Sequence, residues 1–169
     1  MRERLKLLHN MVWRYNEETR EQVDCLIKHV NMEDPYFGIY IRAGDKHVEH
    51  PLIEVDKYIE KAIELSNLKS AFVLTDDYRV YNELQEKLPD WTLKTLCLPE
   101  QQGYFHWTYR QNSKQIVKRD HIRLFASMDI LEKSDYFIGS FSSNPGMHMG
   151  IRKGSARCFG VDLPEWCVW

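Results

Sequence analysis

The stretch Phe37-Gly38-Ile39-Tyr40-Ile41-Arg42-Ala43-Gly44-Asp45-Lys46 decides the fold. Its first half is a short apolar, β-rich run, and its second half turns abruptly to charge. A short apolar run bounded by a turn signal fits a strand of a buried parallel sheet. Two more runs end the same way. Residues 71–74 lead into Thr75-Asp76-Asp77, and residues 136–138 lead to Ser142-Ser143-Asn144-Pro145. In open α/β sheets the ligand crevice lies outside the carboxyl ends of the strands. The three patches therefore line one cleft. A guanidinium, two carboxylates and a run of hydroxyls before a helix suit a phosphorylated, sugar-bearing ligand.

The rest of the chain supplies the crossovers. Leu5, Leu8, Val12 and Tyr15, then Val23, Leu26, Ile27 and Val30, recur at helical spacing, which predicts one helix over the first thirty residues, ended by Pro35. Beyond the first strand, helices are expected over 55–65, 78–88 and 118–133, with a short one over 144–151. Strands are expected over 70–74, 92–98, 135–139 and 157–161. Residues 99–112 read as a loop holding Gly103 and the aromatics Tyr104, Phe105, Trp107 and Tyr109. This order predicts an α/β, Rossmann-like, doubly wound parallel sheet with helices on both faces, preceded by an N-terminal helix. Residues 1–34 are expected to form the helical segment and 35–169 the Rossmann-like domain.

With 169 residues, 43% apolar and 28% charged, the chain can build one real core. A formal charge of −2 gives no electrostatic case for nucleic acid or an anionic membrane. No apolar run approaches the ~20 residues of a membrane span. The start Met1-Arg2-Glu3-Arg4-Leu5 lacks the apolar core of a secretory signal. As given, the chain reads as cytoplasmic, or as one domain of a longer Golgi or secretory protein. Cys25, Cys97, Cys158 and Cys167 form no C-x-x-C pair, which argues against a zinc knuckle and for thiols. A G-x-G-x-x-G turn is missing, so an NAD-type oxidoreductase is set aside.

At the first patch, Arg42 and Lys46 flank Gly44-Asp45 directly after a strand. Arginine donates two parallel hydrogen bonds to phosphate. Asp45 can hold Arg42 in place, or the patch is a surface turn with an exposed ion pair. At the second, one of Asp76 and Asp77 caps the following helix. The other is left for a sugar hydroxyl or a basic side chain. The pair is not Asp-x-Asp, so no metal is inferred. At the third, Ser142, Ser143 and Asn144 precede Pro145 at a helix start, where amides and hydroxyls can hold phosphate. Asp129 shares a helix face with Ile122, Phe125 and Ala126. It either pairs with an arginine or accepts from a guanine edge. Lys114, Lys118, Arg119, His121 and Arg123 read as a solvated helix face.

Taken together, the patches resemble the motifs of the fucosyltransferase superfamily that includes α1,6-fucosyltransferases, NodZ-type enzymes and protein O-fucosyltransferases. The first, family pattern His-x-Arg-x-x-Asp-Lys, is matched by Tyr40, Arg42, Asp45 and Lys46. Thr75-Asp76-Asp77 looks like the second motif, and residues 135–144 look like the third. The resemblance covers residues 36–152. It implies a site for GDP-fucose as donor, with Arg42 on the diphosphate, Ser142 and Ser143 on phosphate, and Asp76 and Asp77 needed for activity. It also implies a metal-independent, inverting transfer of fucose to a hydroxyl of a glycan or glycoprotein, without a cofactor. Glu49, just before His50-Pro51, is nominated as general base with Lys46 as neighbour. The chain departs from the pattern in five ways. An arginine found beside the motif arginine in some members is Ala43, and a motif threonine is Gly44. The motif histidine that helps hold guanine is Tyr40. An aspartate expected on the preceding helix falls at Ser127, two residues from Asp129. Finally, family enzymes carry a second domain before this one, where here only residues 1–34 stand. The chain is then a donor-binding fragment, a non-catalytic binding module, or an enzyme whose acceptor site comes from loop 104–109, a partner domain or an oligomer.

Overall fold

The computed structural model describes residues 2–33, 35–48 and 51–166. Helices α1 (Arg2–Val12) and α2 (Glu17–Val30) lead into strand β1 (Phe37–Ile41). Then come α3 (Val55–Leu65), β2 (Ser70–Thr75), α4 (Tyr78–Lys87), β3 (Thr92–Thr95), the short α5 (His106–Tyr109), α6 (Lys114–Lys133), β4 (Tyr136–Gly139), α7 (Asn144–Lys153) and β5 (Cys158–Gly160). The strands form one parallel sheet in the order β3-β2-β1-β4-β5. This is the expected Rossmann-like α/β architecture.

β1 is buried at every position because both faces are covered. Its side chains alternate between two cores, as the period of a strand dictates. Phe37, Ile39 and Ile41 pack with Val55, Tyr58 and Ala62 of α3 and with Tyr81 and Leu84 of α4. Tyr40, with Phe72 of β2, packs with Val23 and Val30 of α2, Ile122, Ala126 and Ile130 of α6, and Met149 of α7. The N-terminal helical segment thus contributes to the same core as the sheet.

Three local differences from the sequence expectation have visible causes. The first thirty residues form two helices, because Asn16 leaves helical geometry and caps α2, its Oδ1 accepting from the Thr19 N–H at 2.9 Å. Helix α6 starts four residues early, on the Ser113 cap. β3 stops at Thr95, whose hydroxyl donates back to the Val73 carbonyl at 2.7 Å and accepts from the Cys97 N–H at 3.0 Å. Among the described residues, no helix is long and apolar enough to cross a membrane. Cys25 and Cys97 are thiols.

Candidate functional site

Because the sheet is parallel and in register, three loops leave it at one edge. Tyr40 lies level with Leu74 on one side and Gly139 on the other. The chain moves outward from β1 to β2 and β3, then returns to β4 on the opposite side of β1. That reversal opens the crevice where ligands bind in such sheets.

Arg42 follows β1 into the crevice and is held from three directions. Its Nη2 donates to Asp45 Oδ1 at 2.5 Å, its Nη1 pairs with Asp76, and its plane lies 5.0 Å from the centre of the Tyr104 ring. Both carboxylates are braced in turn. Asp76 accepts from the Ala43 N–H at 2.8 Å and the Tyr104 N–H at 2.6 Å. Asp45 accepts from the His106 N–H at 2.8 Å. These are charge-assisted bonds, the stronger kind. The guanidinium is therefore a fixed cation on the cleft, with 17% of its side chain exposed.

The loop after β3 is stitched onto this turn. Gly44 has φ +56° and Gly103 φ +99°, and their backbones touch. A Cβ on Gly44 would sit 2.2 Å from the Tyr104 carbonyl, so only glycine permits this approach. The Asp45 N–H donates to the Tyr104 carbonyl at 2.8 Å, and the Gly103 N–H to the Asp76 carbonyl at 2.9 Å.

The two acids of the second patch divide the work. Asp77 caps α4, accepting from the Arg79 N–H at 2.9 Å, and pairs with the Arg79 guanidinium at 2.6 Å. The Arg79 bond holds its carboxyl below the usual range, although the group is only 4% exposed. Asp77 is thus structural, and Asp76 takes the basic side chain, Arg42.

Beside Arg42, β4 runs into the Ser-Ser-Asn patch. Ser143 is buried, and its hydroxyl donates to the Ser140 carbonyl at 2.9 Å instead of accepting an N–H from the first turn of α7. Ser142 is half-buried and Asn144 exposed. The N–H groups of Phe141 and Ser142 donate to Asp162 at 2.7 and 2.8 Å. Helix α7 opens here with Asn144-Pro145-Gly146, and a Cβ on Gly146 would strike the Ser140 carbonyl. The positive end of the helix dipole therefore sits at the cleft.

Tyr40 lies beneath these groups. Its ring is enclosed in the core, and its hydroxyl is beside Ser143. Burial raises the phenol well above its ordinary value, so it stays neutral. An enclosed ring offers no face for a base to stack on. Tyr58 does the same beside Ser140.

Asp129 is not brought to the cleft. Helix α6 runs antiparallel to the strands, and just past its end Asp135 accepts from the N–H of Tyr36, which precedes β1. Asp129 therefore lies toward the amino ends of the strands. It pairs there with buried Arg152 at 2.6 Å and with Arg20 at 3.5 Å, and accepts from the Tyr15 hydroxyl at 3.2 Å. Of the two readings of Asp129, pairing with arginine is the one observed. Ser127 is also buried, its hydroxyl donating back to the Arg123 carbonyl. A cavity of about 560 Å³ opens beside Asp129, lined by Trp13, Arg20, Asp24 and Arg152, far from Arg42 along the strand direction.

Glu49 and the side chain of Lys46 lie outside the described residues. The basic stretch of α6 is mostly paired, Lys118 with Glu18 at 2.5 Å and Arg119 with Asp120 at 3.0 Å. Burial and the nearby Asp76 and Asp77 push the Cys97 thiol up to about 12, so it is no nucleophile at neutral pH.

Two contributors escaped the sequence reading. Asp162 follows the last strand, so in a parallel sheet it falls at the same edge as the other patches. Tyr104 belongs to the aromatic loop offered as an acceptor site, and its contact with Arg42 needs the loop to fold back over Gly44.

No family profile matches the chain, and no curated protein matches it in sequence. Solved structures do match. The NodZ α-1,6-fucosyltransferase soaked with GDP-fucose superposes with a TM-score of 0.57 at 18% identity, over 82% of this chain and 43% of that one. The fold is fucosyltransferase-like. POFUT1 in complex with GDP gives a TM-score of 0.52 at 15% identity, over 83% of this chain and 45% of that one. POFUT1 without ligand gives 0.52 at 14% identity, over 87% and 46%. The chain spans less than half the length of these fucosyltransferase-like structures, and the likeness lies in the fold.

Proposed function

We propose that the fucosyltransferase-like fold serves GDP-fucose here, bound at the carboxyl edge of β1, β2 and β4, and that fucose passes to a hydroxyl of a glycan or glycoprotein. The observation that carries this reading is Arg42, a guanidinium fixed by Asp45 and Asp76 at the end of β1, the strand that pairs with β4, whose loop opens α7. A diphosphate would place one phosphate on the guanidinium and the other toward Ser142, Asn144 and the amides of the helix start, while Ser143, its hydroxyl given to the Ser140 carbonyl, shapes the turn beneath. As the acceptor oxygen bonds to the anomeric carbon, the bond from that carbon to the phosphate oxygen breaks with inversion. The electron pair leaves on GDP, where Arg42 stabilises the growing charge. The acceptor's proton goes to a general base. Glu49, next to the Arg42 turn in sequence, is assigned that role from its motif position, with Lys46 as its neighbour. No step requires a metal or cofactor.

A second reading is favoured by length. The chain spans 43–46% of the enzymes it resembles, so it also fits a donor-binding half, or a non-catalytic module that binds a nucleotide sugar. Incubation with GDP-fucose and a mixed pool of glycans separates the two. Release of GDP coupled to labelled glycan supports the enzyme. Donor binding without transfer supports the module.

A further inference from the structure

The loop after β3 carries a surface that donor binding leaves unused. Four aromatics fall within six residues: Tyr104, Phe105, Trp107 and Tyr109. Tyr104 lies against Arg42 and packs on Tyr109 with ring centres 4.8 Å apart. Phe105 and Trp107 pack at 5.5 Å. The backbone between them is fixed by the same two carboxylates that hold Arg42, through the N–H groups of Tyr104 and His106. Yet Trp107, the largest of the four, is 56% exposed.

An indole left in water on a braced segment forgoes the burial that such a side chain ordinarily gains. Its position fits a ligand with one apolar face and many hydroxyls. The C–H face of a sugar ring lies flat on an indole, and the exposed polar side chains of His106, Thr108 and Gln111 offer hydrogen bonds around it.

We propose that Trp107 is the platform on which a saccharide acceptor stacks, and that Asp45 fixes its distance from the donor by bonding both Arg42 and the His106 N–H. This rests on the reading of Arg42 as the donor's diphosphate group.

The test follows the indole N–H signals of the five tryptophans by NMR, with the Trp107 signal identified by its loss in Trp107→Phe. The chain is titrated first with GDP, then with cellobiose, chitobiose, lactose and mannobiose. The expected result is a saturable shift of the Trp107 signal with at least one disaccharide, whose affinity falls at least about tenfold in Trp107→Ala and is largely restored in Trp107→Phe. Three results overturn the proposal: no disaccharide moves the signal, Trp107→Ala binds as tightly as the unchanged chain, or GDP alone saturates the shift, which makes Trp107 a base platform. Calorimetry with GDP on the unchanged chain keeps the two claims apart. Absent GDP binding removes the donor reading, whereas GDP binding beside a silent Trp107 removes only this one.

Discussion

Arg42 and Asp76 form an ion pair that ties the end of β1 to the end of β2. The same carboxylate accepts the N–H groups of Ala43 and Tyr104, so it joins strand, turn and aromatic loop. Asp76→Ala should leave a guanidinium and two N–H donors without their acceptor and cost about 2–4 kcal/mol. Asp77→Ala removes a helix cap and should cost about 1 kcal/mol. Urea unfolding of both variants decides the matter. An Asp76 loss no larger than the Asp77 loss would show that Asp76 does not organise this edge.

Gly44 and Gly154 provide a matched pair. Both have positive φ, +56° and +83°, but a Cβ on Gly44 would strike the Tyr104 carbonyl, whereas among the described residues nothing lies within 4 Å of one on Gly154. Gly154→Ala should therefore cost about 1–3 kcal/mol, the strain of a backbone (φ +83°, ψ 169°) that is essentially confined to glycine. Gly44→Ala should cost more and displace residues 103–106, visible as changed amide shifts at Tyr104 and His106. Equal costs would mean that the loop does not press on the turn.

The cluster around Asp129 holds a histidine that makes the fold sensitive to acid. His148 lies 4.6 Å from the His9 ring and 4.5 Å from the Trp13 ring, near Arg152 and Asp129. Burial first, then His9 and Arg152, pull its pKa from 6.5 down to about 4. The folded chain keeps this ring neutral, while the unfolded chain protonates it below about 6.5. The stability from His148 is therefore complete above pH 6.5, declines as pH falls from 6.5 to about 4, and levels off below. His148→Phe should flatten that decline in urea midpoints measured across this window. An unchanged slope would place the acid sensitivity elsewhere.

The parallel sheet was legible because β1, β2 and β4 are mainly apolar on both faces and the crossovers are amphipathic. The runs 37–41 and 55–65 fall where their patterns put them. Other features depend on groups that meet only after folding. The helix break at residues 13–16 rests on Asn16 as a cap within an otherwise helical pattern. Asp129 shows the limit for site residues. Its place on an apolar helix face signalled a buried carboxylate, but its partners Arg20 and Arg152 lie 109 and 23 residues away in sequence. Asp45 beside Arg42 was readable from their spacing. Asp76 reaching the Tyr104 N–H was not, because it needs the loop to fold back over Gly44.

On the catalytic side, Glu49→Gln should retain GDP-fucose affinity while transfer falls by about two orders of magnitude or more, the scale of a lost general base. Full transfer by this variant would disqualify Glu49. Adding EDTA should leave the rate unchanged, and strong inhibition would contradict the metal-independent displacement.

The central claim is that Arg42 marks a nucleotide-sugar donor site. Calorimetric titration of GDP, GDP-fucose, GDP-mannose and UDP-sugars into the unchanged chain and into Arg42→Ala tests it most directly. The account predicts selective binding of GDP-fucose that vanishes in the variant. Binding to none of them, or equal GDP-fucose affinity in Arg42→Ala, would contradict it.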